Sequence, residues 1–334
     1  MFCTVDDMRE LLPHVIGHRG APGYRPEHTL ESFRLAIALG ADAIEPDLVM
    51  TADGVAVLRH ENEIGGSTDV AAHPEYADRH TTRAIGGREV TGWFCEDFTL
   101  AELKTLRARE PLPSRRPRNT LWDGRLEIAT FDELLMLLAE ESRHQGRRIG
   151  LNAELKSSSY LASIGLPLED VVLSSLRDHG LDRRGSGVLL QSFETTNLRW
   201  LRDRTDLPLV QLVEAFGAPD DLVAKGDPTT YDDLCTPDGL RAVSRYADVV
   251  GVARTRLLRH PGLVEDAHLA GLQVLAWTVR DDDPRGASAV DAETRALLDA
   301  GVDGLFSDFP DTTLLVRDAW AASRVSRRMA AGPA

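Results

Sequence analysis

Runs of β-branched and aliphatic residues alternate along the chain with stretches whose apolar positions recur at helical spacing. That is the rhythm of parallel strands joined by crossover helices. Eight strands are predicted: His14–His18, Asp42–Leu48, Ile149–Lys156, Gly187–Ser192, Leu207–Leu212, Ala247–Val252, Leu272–Thr278 and Asp303–Ser307. Among the helices between them, Thr130–Arg143 has Thr130 and Glu133 at capping-box spacing, with Leu134, Leu137 and Leu138 on one face. Eight strand-helix units predict a closed (β/α)8 TIM barrel, with an open doubly wound sheet as the alternative.

A further strand, Val55–His60, follows Asp42–Thr51 after only Ala52-Asp53-Gly54. So short a connection makes a hairpin and not a parallel crossover. Residues placed symmetrically about Asp53 then face one another, which sets His60 opposite Pro46 and beside Glu45 and Asp47. The chain has 334 residues, and a TIM barrel takes about 250, leaving roughly 80 to be housed elsewhere. The segment from Asn62 to Gly124, rich in Gly, Pro, Thr and charge, is read as an insertion at the catalytic face of a single domain spanning residues 1–334. One helix is predicted in it, starting at Thr99 with Glu102 in the capping-box position. Its Trp93-Phe94 pair is read either as local packing or as an apolar wall for the leaving group, and Pro111–Arg118 as a solvated connector or a phosphate-binding patch. Loops at that end of a barrel carry specificity.

Charge and composition narrow the function. Lys and Arg number 38 against 53 Asp and Glu, a net charge of −15, which excludes a generic nucleic-acid binder. No run approaches the roughly 18 apolar residues that span a bilayer, so no integral membrane segment is expected. Asp6, Asp7 and Glu10 precede the short run Leu11–Ile16, unlike the basic start of a secretory signal. A cytoplasmic location is expected, or a periplasmic or secreted one if a leader has been removed. Cys3, Cys95 and Cys235 are too scattered for a disulfide framework or a metal knuckle.

The candidate chemistry lies at strand ends, which build the active site in a barrel. His18-Arg19-Gly20 ends the first strand. Glu45 and Asp47, at i and i+2, project to the same face of the second. Glu154 and Lys156 repeat that spacing on the third. Three converging carboxylates suit a hard divalent cation, Ca²⁺ or Mg²⁺. Zinc is not expected, since no HxH or HExxH spacing and no thiolate cluster is present. Gln191 and Trp277, also at strand ends, are candidate substrate contacts, whereas His144, His179 and His260 read as solvent-facing.

In order along the chain, His18-Arg19-Gly20-Ala21, Pro26-Glu27-His28-Thr29, Glu45-Pro46-Asp47, His60-Glu61, Glu154-Leu155-Lys156, Gln191-Ser192-Phe193, Trp277-Thr278-Val279, Asp303-Gly304 and Ser307-Asp308 resemble the glycerophosphodiester phosphodiesterase family. The resemblance implies a TIM barrel that hydrolyses small-molecule glycerophosphodiesters to glycerol 3-phosphate and an alcohol. It further implies His18 and His60 as the acid/base pair, Glu45, Asp47 and Glu154 as ligands of a divalent ion, Arg19 and Lys156 as phosphate contacts, and Glu27 near metal and phosphate. His28 replaces the more usual Asn, Glu61 the usual Asp, and Arg280 the Asn that often follows Trp-Thr-Val. The rival readings are a lysophospholipase D, a cyclising phosphodiester lyase and a non-catalytic phosphate-binding barrel. The chemistry agrees with the resemblance: a phosphodiester monoanion repels a nucleophile, an ion with Arg19 and Lys156 would neutralise it, and two histidines suit proton transfer near neutral pH.

Overall fold

The eight predicted barrel strands all form and close on one another in a computed structural model that describes residues 12–331; Cys3, Asp6, Asp7 and Glu10 lie outside the described residues. In chain order the strands are β1 (His14–His18), β2 (Ala43–Glu45), β3 (Asp47–Met50), β4 (Ala56–Leu58), β5 (Thr81–Ile85), β6 (Arg88–Gly92), β7 (Gly150–Leu155), β8 (Val188–Ser192), β9 (Leu209–Val213), β10 (Val249–Ala253), β11 (Gln273–Val279) and β12 (Gly304–Ser307). β1, β2 and β7 to β12 form the barrel. Each is parallel to the next, β12 pairs back onto β1, and Ala43 faces Gly150 to join β2 to β7. The open doubly wound alternative is thereby excluded.

The predicted strand 42–48 is interrupted at Pro46, which has no N–H to give to a ladder. Its register against β7 is unchanged across the break, with Ala43 facing Gly150 and Asp47 facing Glu154. β3 then turns back into β4 with Leu48 opposite Leu58 and Met50 opposite Ala56, the symmetry about Asp53 expected from the sequence.

Period-2 alternation along the barrel strands separates two cores. Ile44, Leu151, Val250 and Leu305 point outward into the layer shared with the helices, while Ile16, Ala43, Leu212, Leu275 and Phe306 fill the interior. Two residues further along the same strands, the inward positions become His18, Glu45 and Trp277. The helix Phe131–Gln145 begins with the predicted Thr130–Glu133 capping box and buries Leu134, Leu137 and Leu138.

Residues 62–124 surround a small core of their own, including Ile64, Val70, Cys95, Phe98 and Leu103, which seals onto Val49 and Val57 of the β3–β4 hairpin. The predicted helix is present at Leu100–Leu103 with its Thr99–Glu102 box. The segment also contains an antiparallel hairpin, β5–β6, joined by Gly86-Gly87. Both glycines have positive φ, 56° and 72°, the requirement of a two-residue type I′ turn. Its strands are largely exposed, so no buried alternating face marked them in the sequence. The solvated reading of Pro111–Arg118 also needs correction: Arg116 is buried. Cys95 is a free, buried thiol and Cys235 a free, half-buried one.

Candidate active site

Glu45, Asp47 and Glu154 are buried at the C-terminal rim of the barrel and each offers an oxygen within 4.8 Å of the others. Burial, and then the charges of Asp47 and Glu154, push the Glu45 carboxyl well above its ordinary range. Burial likewise lifts Glu154, to about 7, with Lys156 opposing and Asp47 adding to the shift. Asp47 Oδ1 is buried without a hydrogen-bond partner, as is Gln191 Oε1, while Gln191 Nε2 donates to Glu45 Oε1 at 3.0 Å. Clustered carboxylates with an orphaned buried oxygen and no soft donor fit a hard divalent cation.

Arg19 and Lys156 flank the acids. Arg19 sits in the left-handed region, φ 56°, an uncommon state for a residue with a Cβ. That state aims its backbone N–H at Glu45, 2.8 Å from the carbonyl and 3.0 Å from Oε2. Its guanidinium donates to Glu27 Oε2 at 2.9 Å and lies 3.3 Å from Asp47 Oδ2. Gly20 is obligatory here: its φ is +94°, and a Cβ would meet the Ser32 carbonyl carbon at 2.6 Å. Lys156 Nζ donates to Glu154 Oε1 at 2.8 Å and lies 3.8 Å from Asp47 Oδ1. Burial works against its charge, but Glu154 and Asp47 outweigh it and hold the ammonium above its ordinary value.

Both histidines present Nδ1 to a carboxylate. His18 Nδ1 lies 2.6 Å from Asp308 Oδ1, and His60 Nδ1 lies 2.7 Å from Glu61 Oε1. Burial opposes the charge of Asp308, yet Arg280, His18 and Arg116 together hold its carboxyl well below the usual carboxylate range. An ionised carboxylate only accepts, so the proton of neutral His18 belongs on Nδ1 and Nε2 is left free. Burial, then Arg19, lowers the pKa of His18, and burial followed by Lys156 lowers that of His60 further.

These groups open into a cleft of about 630 Å³ that brings together His18, Arg19, Glu45, His60, Glu154, Lys156, Gln191 and Trp277. Glu27 does not line it; this residue stands behind Arg19, with burial opposed by Arg19 and His28 so that its carboxyl falls to about 2. His28, the departure from Asn, is fully buried with Nε2 2.9 Å from Asp47 Oδ2. Phe193 makes an edge contact with Trp277, ring centroids 5.6 Å apart, and with Tyr231 at 6.4 Å, forming one wall.

Trp93 and Phe94 are not part of that wall. Phe94 is fully buried and Trp93 Nε1 donates to the Tyr76 carbonyl at 2.7 Å, so the pair packs locally. Residues 62–124 reach the cleft instead through Asn62 and Glu63 and through Ile85, Arg88 and Val90 of the β5–β6 hairpin, whose Gly86 is packed against the carboxylate of Asp220. Sequence reasoning missed Arg88, Tyr231, Asp308 and Arg116 as parts of the site. Asp308 and Phe193 stood within quoted motifs, whereas a proline-flanked arginine gives no sequence signal of burial.

The sequence matches the Glycerophosphoryl diester phosphodiesterase family over residues 18–312. A glycerophosphodiester phosphodiesterase of Arabidopsis thaliana is 31% identical over 324 residues, covering 89% of this chain and 84% of that protein. One from Haemophilus influenzae is 31% identical over 333 residues, covering 89% and 88%. The crystal structure of a Silicibacter pomeroyi protein of the same proposed activity has a TM-score of 0.70 at 27% identity, covering 93% of this chain and 94% of that one. An Oleispira antarctica phosphodiesterase, solved with the product sn-glycerol-3-phosphate, shares the fold with a TM-score of 0.62 at 22% identity, covering 92% and 98%. With motifs, barrel and matches in agreement over most of its length, the chain belongs to the glycerophosphoryl diester phosphodiesterase family of enzymes.

Proposed function

We propose that this protein hydrolyses glycerophosphodiesters to sn-glycerol 3-phosphate and an alcohol, using His18 and His60 in proton transfer beside a divalent ion held by Glu45, Asp47 and Glu154. The observation that carries the reading is the convergence on one cleft of two carboxylate-anchored imidazoles, two basic side chains and the buried acids Glu45 and Glu154, with Asp47 clustered against both acids but set back from the cleft surface. When bound, Mg²⁺ or Ca²⁺ would supply positive charge for the phosphoryl oxygens. Arg19 and Lys156 contact the phosphate and stabilise the charge that builds on its equatorial oxygens. With Nδ1 of each histidine committed to a carboxylate, Nε2 faces the reacting atoms. One imidazole accepts the nucleophile's proton and the other donates to the leaving alkoxide.

The leaving group is assigned to the part of the cleft bordered by Arg88, Glu214, Asp220 and the Phe193–Trp277 wall. That mixture of charge and aromatic surface favours small, water-soluble alcohols over acyl chains. Residues 62–124 are read as an insertion within one catalytic domain. The test is to incubate the pure protein with a panel of glycerophosphodiesters and long-chain lysophospholipids and to assay released glycerol 3-phosphate, with and without EDTA. Turnover of the glycerophosphodiesters, lost on chelation and restored by Mg²⁺ or Ca²⁺, is the expected outcome.

A further inference from the structure

Asp308 lies at the start of the loop after β12, on the far side of His18 from the acids. Its Oδ1 takes the imidazole Nδ1 at 2.6 Å. Its Oδ2 accepts two guanidinium donors, one from Arg116 and one from Arg280 Nε at 2.9 Å. Arg116 is itself fixed, since Nε donates to Asp282 Oδ2 at 2.7 Å and Nη1 to the Pro22 carbonyl at 3.0 Å. Asn119 Nδ2 donates to that same carbonyl at 2.8 Å and to Glu110 Oε2 at 2.8 Å. The Asp308 backbone is equally tied, its N–H bonded to the Val279 carbonyl at 3.1 Å and its carbonyl to Gly23 N–H at 3.0 Å. Every bond on this carboxylate therefore limits where its one remaining oxygen can point.

We infer that Asp308 is a positioning residue for His18, fixing the imidazole's tautomer and orientation, and that Arg116 extends this control into residues 62–124. The reason two arginines matter is directional. A guanidinium only donates, so whichever atom of residue 308 faces Arg116 and Arg280 must be an acceptor. In wild type both carboxylate oxygens qualify, and Oδ1 remains to receive Nδ1–H. With asparagine at 308, the amide oxygen is claimed by the arginines and the NH₂ is turned toward His18. Nδ1 must then offer its lone pair and the proton moves to Nε2, so the nitrogen facing the reacting atoms cannot accept a proton, and the imidazolium, whose Nδ1–H would be set against the NH₂, is disfavoured as an acid. In catalytic triads, loss of a carboxylate that orients the histidine acts through this same wrong tautomer.

The kinetic half of the inference rests on the proposed phosphodiesterase reading, and the spectroscopic half does not. In ¹⁵N-labelled wild type at alkaline pH, NMR of the His18 ring should show the proton on Nδ1, identified by loss of the signal in His18→Ala. This measurement needs no variant at 308. In Asp308→Asn the proton should be found on Nε2, while the cooperative thermal transition is retained. Activity should fall about 10²- to 10³-fold in kcat, the scale of a lost proton-transfer partner, with KM changed less than about threefold. In a His18→Ala background, adding Asp308→Asn should lower kcat no further, as expected for two groups acting as one unit. Arg116→Gln, which leaves only Arg280 on Oδ2, should give a smaller kcat loss that is likewise absent in the His18→Ala background. Nε2–H in wild type, an unchanged tautomer in Asp308→Asn, or a full additional loss in the double variant would overturn the inference. A wild type without phosphodiesterase activity would overturn the functional reading alone, because the tautomer measurement still decides the role of Asp308.

Discussion

Lys156 Nζ donates to Glu154 Oε1 at 2.8 Å and stands 3.8 Å from Asp47 Oδ1, so an ammonium occupies the flank of the carboxylate cluster proposed to hold a cation. The two positive charges compete for the same oxygens. Lys156→Met should therefore tighten Mg²⁺ or Ca²⁺ binding, by about tenfold if one screened repulsion of roughly 1.4 kcal/mol is relieved, while lowering turnover because a phosphate contact is lost. Isothermal titration alongside steady-state kinetics separates the two effects. Weaker metal binding in the variant would show that Lys156 orders the acids and does not compete with the ion.

The proton equilibria of the acids set a pH dependence. Glu154, at about 7, lies above its ordinary value of 4.5, and Glu45 is raised as well. A group raised in the folded state contributes stability that is present below its unfolded value and lost as pH rises through the folded one. Without an ion, Glu154 should make the protein progressively less stable as pH rises from about 4.5 to 7, and Glu45 acts in the same direction. A divalent ion takes the place of the protons, so the rise in melting temperature on adding Mg²⁺ or Ca²⁺ should grow across that window. A shift that does not vary with pH would exclude these carboxylates as the ligands.

Glu45→Gln offers a complementary test, because Gln191 can turn its unpartnered Oε1 toward the new amide. Removing one of three clustered charges should raise the melting temperature of the ion-free protein. Metal affinity should drop by more than the 10–100-fold typical of altering a supporting residue, and the metal-dependent stabilisation should vanish. Differential scanning calorimetry with and without the ion reads both changes.

For His60, whose Nδ1 is held by Glu61, substitution by alanine should reduce kcat by about 10²- to 10⁴-fold with a circular dichroism spectrum like that of the wild type. A near wild-type rate would remove His60 from the proton-transfer pair.

Within residues 62–124, Phe94 and Arg88 should behave oppositely. Phe94→Ala empties a fully buried site and should cost about 3–5 kcal/mol of stability without changing the ratio of kcat/KM among alcohol leaving groups. Arg88→Ala, on an exposed strand facing the cleft, should leave stability within about 0.5 kcal/mol and alter that ratio. Denaturant melts and a substrate panel check both.

The barrel was legible because its strands are apolar runs set at regular intervals, and the β3–β4 register because a short turn centred on Asp53 leaves one symmetric pairing. The rim groups His18, Glu45, Asp47, His60, Glu154 and Lys156 followed from strand-end spacing and from motifs that keep their order. What the sequence did not reveal depends on contacts between distant segments. The β5–β6 hairpin is exposed on one face and only half-buried on the other, through Arg83, Ile85 and Val90, so hydropathy carries little trace of it. Arg116 is joined to Asp308 across 192 positions, and no local pattern distinguishes it from the exposed Arg115 and Arg118 on either side. The Trp93-Phe94 pair was ambiguous for a related reason, as an aromatic dipeptide reads alike whether it faces a substrate or a neighbouring carbonyl.

The burial of Arg116 bears on how this enzyme can be redesigned. Residues 62–124 look like an exchangeable cassette, since they leave and rejoin the barrel within a few residues of the β3–β4 hairpin. A graft without an arginine at position 116 would leave Asp282 and Asp308 short of a buried cation and the Pro22 carbonyl short of a donor. Chimeras should therefore keep 110–119 native and transplant only the stretch around the β5–β6 hairpin, which touches the cleft without underpinning it.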